Sequence, residues 1–287
     1  MIPQGLGSIR VGEDRTIPAV SRRPLVGRPG GGSALPEPTV EWPPQAIIAW
    51  AAQRFGERLV VSSSFGNPEG TALLHMVAQT APHVPVVWVN TGFLFPETLA
   101  FQEVLTRRLG LRVVELMPRL SPEEQALAYG PALWSRDPDL CCQLRKVEPL
   151  FSYLQGYDAW MTAIRRGQTP ARAQVQVLEE HRLPTSDGFR PGQLITKINP
   201  LAGWSREQVW QYLDAHQLPY NPLLDQGYTS LGCIQCTRRM ALAGDRGDDR
   251  TGRWWGQGKT ECGLHTRTVR LEAGGSSGGA GWAISPR

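Results

Sequence analysis

Short apolar runs alternate with helical segments through the middle of this 287-residue chain, and this alternation restricts its fold more than any other feature. The runs predicted as strands cover residues 58–62, 84–89, 111–116, 159–163 and 194–198, the last of which could lie at an edge. Helices are predicted over 45–55, 70–79, 96–109, 142–154 and from Ser205, where Gln208 completes a capping box. Strands that alternate with helices predict an α/β fold, a mostly parallel sheet with helices on both faces. Ligands of such sheets bind beyond the carboxyl ends of the strands.

The two ends of the chain lack this alternation. Residues 1–43 are rich in Pro, Gly and Arg without a helical or strand period, so we expect a flexible N-terminal arm. Residues 271–287 are rich in Gly and Ser and are expected to form a disordered tail. Between these ends we expect one α/β domain over residues 44–250 and a separate C-terminal segment over residues 251–270.

The charge of the chain bears on its ligand. A net charge of +4 suits a small anionic ligand better than a long nucleic acid, which usually meets a denser basic patch. The first residues do not resemble a secretory signal, and no stretch approaches the roughly 20 apolar residues of a membrane span. We therefore expect a cytoplasmic protein that binds neither membrane nor nucleic acid. In that reducing compartment, paired cysteines more often bind metal or do redox chemistry than form disulfides.

Two loops follow neighbouring predicted strands. The first strand runs into S-S-S-F-G-N-P-E-G-T, where Ser62, Ser63 and Ser64 add hydroxyl donors to a strand-loop-helix turn. Such a turn aims backbone N–H groups at an anion, although this one lacks the Walker pattern and could merely cap a helix. The second strand ends in V-N-T-G-F, which brings Thr91 and Gly92 to the same edge. Two such loops side by side favour a nucleotide pocket.

Four of the five cysteines form two close pairs. Cys141 and Cys142 are adjacent, and Cys233 and Cys236 form C-I-Q-C. Four thiolates can hold zinc or an iron–sulfur cluster. Adjacent side chains diverge, which is awkward for one small ion and easier for a larger [4Fe–4S] cluster, so we favour the cluster. Zinc and unliganded buried cysteines are the alternatives.

The fifth cysteine, Cys262, lies in K-T-E-C-G-L-H. Lys259 and the upstream Arg250 and Arg253 would lower the pKa of a thiol, and a thiolate could attack an electrophilic sulfur. The alternative is an ordinary exposed cysteine. His265 could orient the thiol, bind a phosphate or simply lie at the surface.

Arginines cluster around the same predicted edge of the sheet. Arg165, Arg166 and Arg172 follow the fourth strand in W-M-T-A-I-R-R-G-Q-T-P-A-R, and Arg250 and Arg253 lie in D-D-R-T-G-R-W-W. Guanidinium groups bind phosphate and sulfate oxygens in bidentate fashion. Their positions favour an oxyanion pocket over solvated surface charge.

Nine motifs follow one another along residues 44–267: S-S-S-F-G, V-N-T-G-F-L-F-P-E-T, C-C-Q-L-R-K, W-M-T-A-I-R-R-G-Q-T-P-A-R, K-I-N-P-L-A-G-W-S, L-P-Y-N-P-L, Q-G-Y-T-S-L-G-C-I-Q-C-T-R, R-T-G-R-W-W and K-T-E-C-G-L-H. Together they resemble the assimilatory sulfonucleotide reductases, and within them the iron–sulfur adenylyl-sulfate (APS) reductases. The two cysteine pairs distinguish this branch from the 3′-phosphoadenylyl-sulfate (PAPS) reductases, which lack them and the cluster.

The resemblance implies the adenine nucleotide α-hydrolase-like (PP-loop-related) fold and the thioredoxin-dependent reduction of APS to sulfite and AMP, in sulfate assimilation and cysteine biosynthesis. Cys262 would attack the sulfate sulfur and form a Cys-S-sulfonate, which thioredoxin would reduce. A [4Fe–4S] cluster on the paired cysteines would tune the electrostatics without changing redox state, with Lys146 as its link to the substrate. No thioredoxin-like domain follows His265, so the donor would be a separate protein. Both a monomer and a homo-oligomer stay open.

The resemblance also implies which residues contact the substrate. They are Ser62, Ser63, Ser64, Glu69, Thr91, Gly92, Lys146, Arg165, Arg166, Arg172, Arg250, Arg253 and His265. Residues 44–250 would bind nucleotide and cluster, and 251–270 would carry the catalytic cysteine. The chain departs from the family at positions that bear on nucleotide contacts: N-P-E at 67–69 where A-E-D is usual, Asn90 for aspartate, Ala163 for glycine and Gly167 for an acidic residue.

Three other functions compete with APS reduction. The first is PAPS reduction by the same chemistry. The second is tRNA thiolation by a cluster enzyme of related fold, although such enzymes typically carry S-G-G-x-D-S where this chain has S-S-F-G-N. The third is a zinc-binding regulatory module without catalysis.

Overall fold

A mostly parallel sheet forms the centre of the protein. The computed structural model describes residues 9–11, 36–184, 192–240, 249–265 and 269–270. Its strands are β1 (Ile9–Val11), β2 (Leu59–Ser62), β3 (Val86–Val89), β4 (Val113–Leu116), β5 (Ala159–Met161), β6 (Leu178–Arg182), β7 (Leu194–Ile198) and β8 (Val269–Arg270). They lie in the order β1-β4-β3-β2-β5-β7-β6-β8. In this spatial order, each neighbouring pair from β1 across the sheet to β7 is parallel. β6, which follows β7 in the sheet, pairs antiparallel with both β7 and β8.

Proline sets the start of most helices. The helices are α1 (Pro44–Phe55), α2 (Pro68–Thr80), α3 (Pro96–Leu109), α4 (Pro122–Tyr129), α5 (Leu133–Arg136), α6 (Pro138–Cys142), α7 (Glu148–Leu154) and α8 (Arg206–Ala215). Proline suits the first turn because its fixed φ is already helical and its missing N–H needs no partner. The expected capping box of α8 is confirmed: Gln208 N donates to Ser205 Oγ over 3.2 Å, and Ser205 N donates to Gln208 Oε1 over 2.7 Å.

Both faces of the sheet are covered, as the alternation predicted. Successive strand side chains point to opposite faces. Leu59 and Val61 pack with the buried faces of α1, α2, α3 and α8, whereas Val60 packs with Trp160 and α7. Sheet and helices therefore form the expected three-layer α/β fold.

The far side of the sheet differs from the prediction. The edge position suggested for residues 194–198 is wrong, since β7 lies between β5 and β6. β6 was not predicted because its sequence, L-E-E-H-R, is mostly charged. Its Glu179 and His181 are nevertheless buried, 6% and 4% exposed, because they find partners inside the fold.

Several boundaries also shift. The helix predicted over 142–154 begins at Pro138 and contains a π-helical turn, Gln143–Val147, between α6 and α7. Residues 9–11, placed in the flexible arm, pair with β4, which sequence analysis did not anticipate. The predictions for residues 1–8, 12–35 and 271–287 lie outside the described residues. Within the described ranges, no helix has the length and apolarity needed to cross a membrane.

Candidate active site

A cleft of about 1140 Å³, counted to its open mouth, lies beyond the carboxyl ends of β2, β3 and β5. This is the edge at which parallel sheets bind ligands. Ten of the residues selected from the sequence line it: Ser62, Ser63, Ser64, Glu69, Lys146, Arg172, Arg250, Arg253, Cys262 and His265. The C-terminal segment thus closes one wall of a cleft whose floor is built by the sheet.

The serine loop after β2 is held in one shape by its own hydrogen bonds. Ser62 Oγ accepts from Trp160 Nε1 over 2.7 Å, and Ser63 Oγ accepts from Phe65 N over 3.2 Å. Phe65 has a left-handed φ of 52° and is buried against Trp88. The buried phenyl ring anchors the turn and leaves Ser64 exposed toward the cleft.

Two predicted substrate contacts, Arg165 and Arg166, serve the loops instead. Arg165 is 1% exposed and donates to Glu69 Oε1 over 2.9 and 2.7 Å, and to Asp249 Oδ2 over 2.5 Å. Arg166 donates to Val175 O over 2.7 Å. Neither guanidinium lines the cleft. Arg165 orients the cleft carboxylate of Glu69, and Arg166 closes its own turn.

Thr91 and Gly92 also lie off the cleft, on the side of the cysteines. Thr91 Oγ1 is 3.4 Å from Cys233 Sγ. Gly92 has a φ of 73°, and a Cβ there would lie 3.0 Å from Arg145 Nη2. The loop after β3 therefore supports the cysteine region.

Arg145 hydrogen-bonds to several loops around the cysteines. Sequence analysis did not single it out, although it lies in the C-C-Q-L-R-K motif. It is 2% exposed. It donates to Thr91 O over 2.5 Å, Leu120 O over 3.2 Å and Gln125 Oε1 over 3.0 Å. Burial lowers the pKa of this guanidinium, partly offset by Cys141 and Cys233. It joins the β3 loop to the helix that carries the first cysteine pair.

The two cysteine pairs come together from distant parts of the chain. Cys141 and Cys142 end α6, Cys236 ends a 3₁₀ turn (Ile234–Cys236), and Cys233 precedes it. All four thiols are free. Burial, reinforced by neighbouring thiols, raises the pKa of Cys141 to about 11 and that of Cys236 to about 12. Across the described ranges, no three His, Cys, Asp or Glu side chains converge as a site for one metal ion.

Cys262 lies at the inner wall of the cleft, 8% exposed, and packs with Cys142 and Trp254. Burial by itself would raise the pKa of Cys262, but Lys146 and Arg250 outweigh it and lower the pKa below the ordinary thiol value. Lys259, which the sequence placed beside the thiol, instead pairs with Asp139. The two cations that lower the pKa of Cys262 are therefore Lys146, from the π-helical turn, and Arg250, from the D-D-R-T-G-R-W-W motif.

The arginines of the wall differ in their contacts. Arg172 donates to both carboxylate oxygens of Glu261, each over 2.8 Å. Arg250 Nη1 is 3.6 Å from Glu261 Oε2, and burial, with repulsion from neighbouring arginines, lowers its pKa to about 10. Arg253 donates to Leu231 O over 3.0 Å. All three line the cleft.

His265 stacks on the indole of Trp160, with ring centroids 5.6 Å apart and an interplanar angle of 13°. Burial, helped by Lys197 and Arg172, lowers its pKa well below the ordinary value, so the ring is neutral near pH 7. Within the described residues its buried Nδ1 has no hydrogen-bond partner. The alternative of a surface histidine is therefore wrong.

A nucleotide-sized cleft at the carboxyl edge, a wall of cations and a thiol of lowered pKa together form the candidate active site of this α/β protein. Residues 58–239 match the phosphoadenosine phosphosulfate reductase domain. The chain belongs to this family of reductases, and the resemblance found in the sequence is confirmed.

Individual relatives cover most of the domain. The adenosine 5′-phosphosulfate reductase of Halalkalibacterium halodurans is 44% identical over 222 residues, 76% of this chain and 90% of the relative. The phosphoadenosine 5′-phosphosulfate reductase of Gloeobacter violaceus is also 44% identical, over 77% of this chain and 88% of the relative. The crystal structure of PAPS reductase from Candida auris, a phosphate complex, superposes with a TM-score of 0.57 and 32% identity, over 69% of this chain and 92% of that one.

Proposed function

We propose that this protein reduces adenylyl sulfate to sulfite and AMP with electrons from thioredoxin, as a cytoplasmic enzyme of sulfate assimilation and cysteine biosynthesis. The observation that carries the proposal is the buried Cys262 thiol, whose pKa is lowered by Lys146 and Arg250 at the wall of a nucleotide-sized cleft. Relatives that are named adenosine 5′-phosphosulfate reductase support APS as the substrate.

The first step is a transfer of the sulfonate group to Cys262. The thiolate Sγ attacks the sulfate sulfur, the bond from that sulfur to the bridging oxygen breaks, and its electron pair leaves on the phosphate of AMP. Thiolate and sulfate repel each other, so nearby cations are needed to stabilise the transition state. Lys146, Arg250 and Arg253 line the cleft beside Cys262 and would supply this charge. AMP is a stable leaving group that needs no proton from the protein.

The second step returns Cys262 to its thiolate. A thioredoxin thiolate attacks Sγ of Cys262 and expels sulfite, which leaves a mixed disulfide. The second thioredoxin thiol then displaces Cys262, so thioredoxin is oxidised by two electrons. Since Cys262 is buried with its segment on the cleft, the segment would move outward for this step.

The nucleotide would lie over the serine loop. Ser62, Ser63 and Ser64 and the residues after β5 line the part of the cleft built on the sheet. Hydroxyls and backbone N–H groups at strand ends suit a ribose and a phosphate. We place the adenosine there and the phosphosulfate toward the cations.

We further propose that Cys141, Cys142, Cys233 and Cys236 hold a [4Fe–4S] cluster. Their free thiols interact electrostatically with one another and with the cations Arg145 and Lys146, which fits a thiolate-bound, negatively charged group larger than one ion. Bound there, the cluster would supply fixed charge near Lys146 without changing redox state. Lys146 itself faces both the cysteines and Cys262.

The main alternative is PAPS as substrate, because a relative of equal identity is named a phosphoadenosine 5′-phosphosulfate reductase. Steady-state turnover of APS and PAPS with reduced thioredoxin separates the two. We expect a higher kcat/KM for APS. A preference for PAPS would overturn the substrate assignment and leave the cysteine chemistry in place.

A further inference from the structure

We propose that Glu261 is a positioning residue that holds Cys262 over the cleft by binding Arg172. Arg172 would then anchor the C-terminal segment rather than bind the substrate oxyanion. The role of Arg172 rests in part on the function proposed above, whereas the anchor itself rests on the contacts of the two side chains.

The Arg172 guanidinium is engaged on three of its nitrogens. Nε donates to Glu261 Oε1 and Nη2 donates to Glu261 Oε2, each over 2.8 Å, and Nη1 donates to Gln168 Oε1 over 2.6 Å. The two side chains are only 8% and 7% exposed. This is the bidentate geometry in which arginine binds a carboxylate most strongly. A substrate oxyanion would have to displace Glu261 to use the same edge.

The residues that bind Glu261 belong to the α/β domain. Arg172 ends a 3₁₀ turn (Pro170–Arg172) that proline starts. Gln168, its other partner, is held in turn by Arg165 N, which donates to Gln168 Oε1 over 3.1 Å. Thr169 Oγ1 adds a contact of 3.4 Å to Glu261 Oε1. The anchor point is therefore formed by the loop after β5.

Glu261 directly precedes Cys262, so their Cα atoms are about 3.8 Å apart. Fixing the carboxylate of Glu261 leaves the Cys262 thiol little freedom. On the other side, Gly263 turns the chain with a φ of 86°, and His265 stacks on Trp160. Cys262 is thus bracketed by two contacts with the sheet domain. Loss of Arg172 is costly because, among the described residues, Glu261 then keeps only the longer contact of 3.6 Å with Arg250 as an ion pair.

Simple electrostatics gives the opposite expectation for Glu261. A carboxylate beside a thiol disfavours the thiolate, so removing its charge would by itself speed attack by Cys262. A positioning role predicts slower attack on the sulfur of APS, although a released thiol reacts faster with a small alkylating agent. The direction of the change in the S-sulfonation rate of Glu261→Gln therefore separates the two roles.

The test uses four variants of the full chain: Glu261→Gln, Arg172→Glu, the charge-exchanged pair Arg172→Glu with Glu261→Arg, and Glu180→Gln. Glu180 is an exposed carboxylate on β6 that contacts Thr196 and serves as the matched control. Three quantities are measured: the rate of Cys262 alkylation by iodoacetamide, followed at its peptide by mass spectrometry, the affinity for AMP, and the single-turnover rate of Cys262 S-sulfonation by APS.

We expect Glu261→Gln and Arg172→Glu to speed alkylation and to slow S-sulfonation, each on the order of 100-fold, with AMP affinity unchanged. The charge-exchanged pair should recover most of both rates, and Glu180→Gln should behave as the wild type. If Arg172 instead binds substrate, the exchanged pair will be S-sulfonated as slowly as Arg172→Glu, and Arg172→Glu will be alkylated no faster than the wild type, because its added carboxylate disfavours the thiolate. Either result overturns the proposal.

Alkylation needs no substrate, so the anchor can be judged separately from the proposed function. Alkylation that responds as expected in a protein that turns over neither APS nor PAPS would support the anchor and refute the proposed function.

Discussion

Gly232 determines where the guanidinium of Arg253 lies. A Cβ at position 232 would come within 2.0 Å of Arg253 Nη2 and 2.4 Å of its Cζ. Arg253 is 8% exposed, and its guanidinium donates to Leu231 O and packs over the Trp254 ring at 4.6 Å, so it has little room to move. One missing methyl group thus allows a cation to reach the wall of the cleft.

Gly232→Ala should therefore displace Arg253 while leaving the fold intact. We expect kcat/KM for APS to fall by on the order of 10- to 100-fold, because one cation that stabilises developing charge is moved. Gly258→Ala is the matched control, since a Cβ there meets nothing within 4 Å. Equal kinetics for the two alanine variants would show that the position of Arg253 is unimportant.

Residue roles were harder to predict than residue positions. The sequence assigned Lys259 to the thiol and Arg165 to the substrate, yet Lys259 pairs with Asp139 and Arg165 with Glu69. Proximity along the chain suggested the first role, and only the fold shows that α6 lies within reach. A single sequence does not indicate that a buried carboxylate such as Glu69 will bind Arg165.

At the scale of elements, β5 connects the two halves of the site through Trp160. Its indole N–H donates to Ser62 Oγ over 2.7 Å, and its ring stacks against the imidazole of His265. The same ring lies 5.8 Å from Lys197 Nζ on β7. The strand thereby joins the serine loop to the C-terminal segment.

Trp160→Phe keeps an aromatic ring in the core but removes the donor to Ser62. A lost hydrogen bond of about 1 kcal/mol corresponds to roughly fivefold weaker AMP binding. Isothermal titration with AMP measures this loss. Affinity equal to that of the wild type would show that the serine loop does not depend on β5.

The pair β6 and β7 contains a buried charge cluster that links stability to pH. Glu179 Oε2 is 3.5 Å from Lys197 Nζ and 3.3 Å from His181 Nε2. Burial would raise the pKa of Glu179, but His181 and Lys197 outweigh it and lower the pKa to about 2. A carboxyl group whose pKa falls on folding stabilises the protein above its unfolded pKa, about 4.3, and this contribution is lost as pH falls toward 2.

Urea unfolding at pH 7 and at pH 3 tests this linkage. The wild type should lose on the order of 2 kcal/mol more than Glu179→Gln between the two pH values, because only the wild type carries this carboxylate. Glu180→Gln should lose as much as the wild type. Equal losses in the wild type and Glu179→Gln would contradict the assignment.

The elements themselves were predictable where apolar periodicity is strong. The helix at Pro96–Leu109 and the strand at Leu194–Ile198 have the predicted bounds, and the other four apolar strands each differ at one end by one or two residues. Sequence analysis missed β6 because Glu179 and His181 are polar residues, and Glu179 is buried beside Lys197, its partner on the neighbouring strand β7. The local sequence pattern predicts which residues are buried because they are apolar. It does not predict which charged residues are buried because they pair with each other.

In the whole molecule, α6 and the 3₁₀ turn at Ile234–Cys236 lie beside the segment that carries Cys262, because Cys142 and Cys236 pack against Trp254 and Cys262. We expect protein purified without oxygen to be brown, with absorption near ~400 nm and about four irons per chain. Cys141→Ala should lose iron and colour, whereas Cys262→Ala should keep both. One zinc and no iron in the wild type would exclude the cluster.

A trapping experiment decides whether Cys262 carries the sulfonate. The protein is incubated with ³⁵S-labelled APS without thioredoxin, and the labelled peptide is identified. We predict label on Cys262 alone, its release as sulfite by reduced thioredoxin, and no labelled protein from Cys262→Ser. Labelled protein from Cys262→Ser, or label on one of the paired cysteines, would contradict the account.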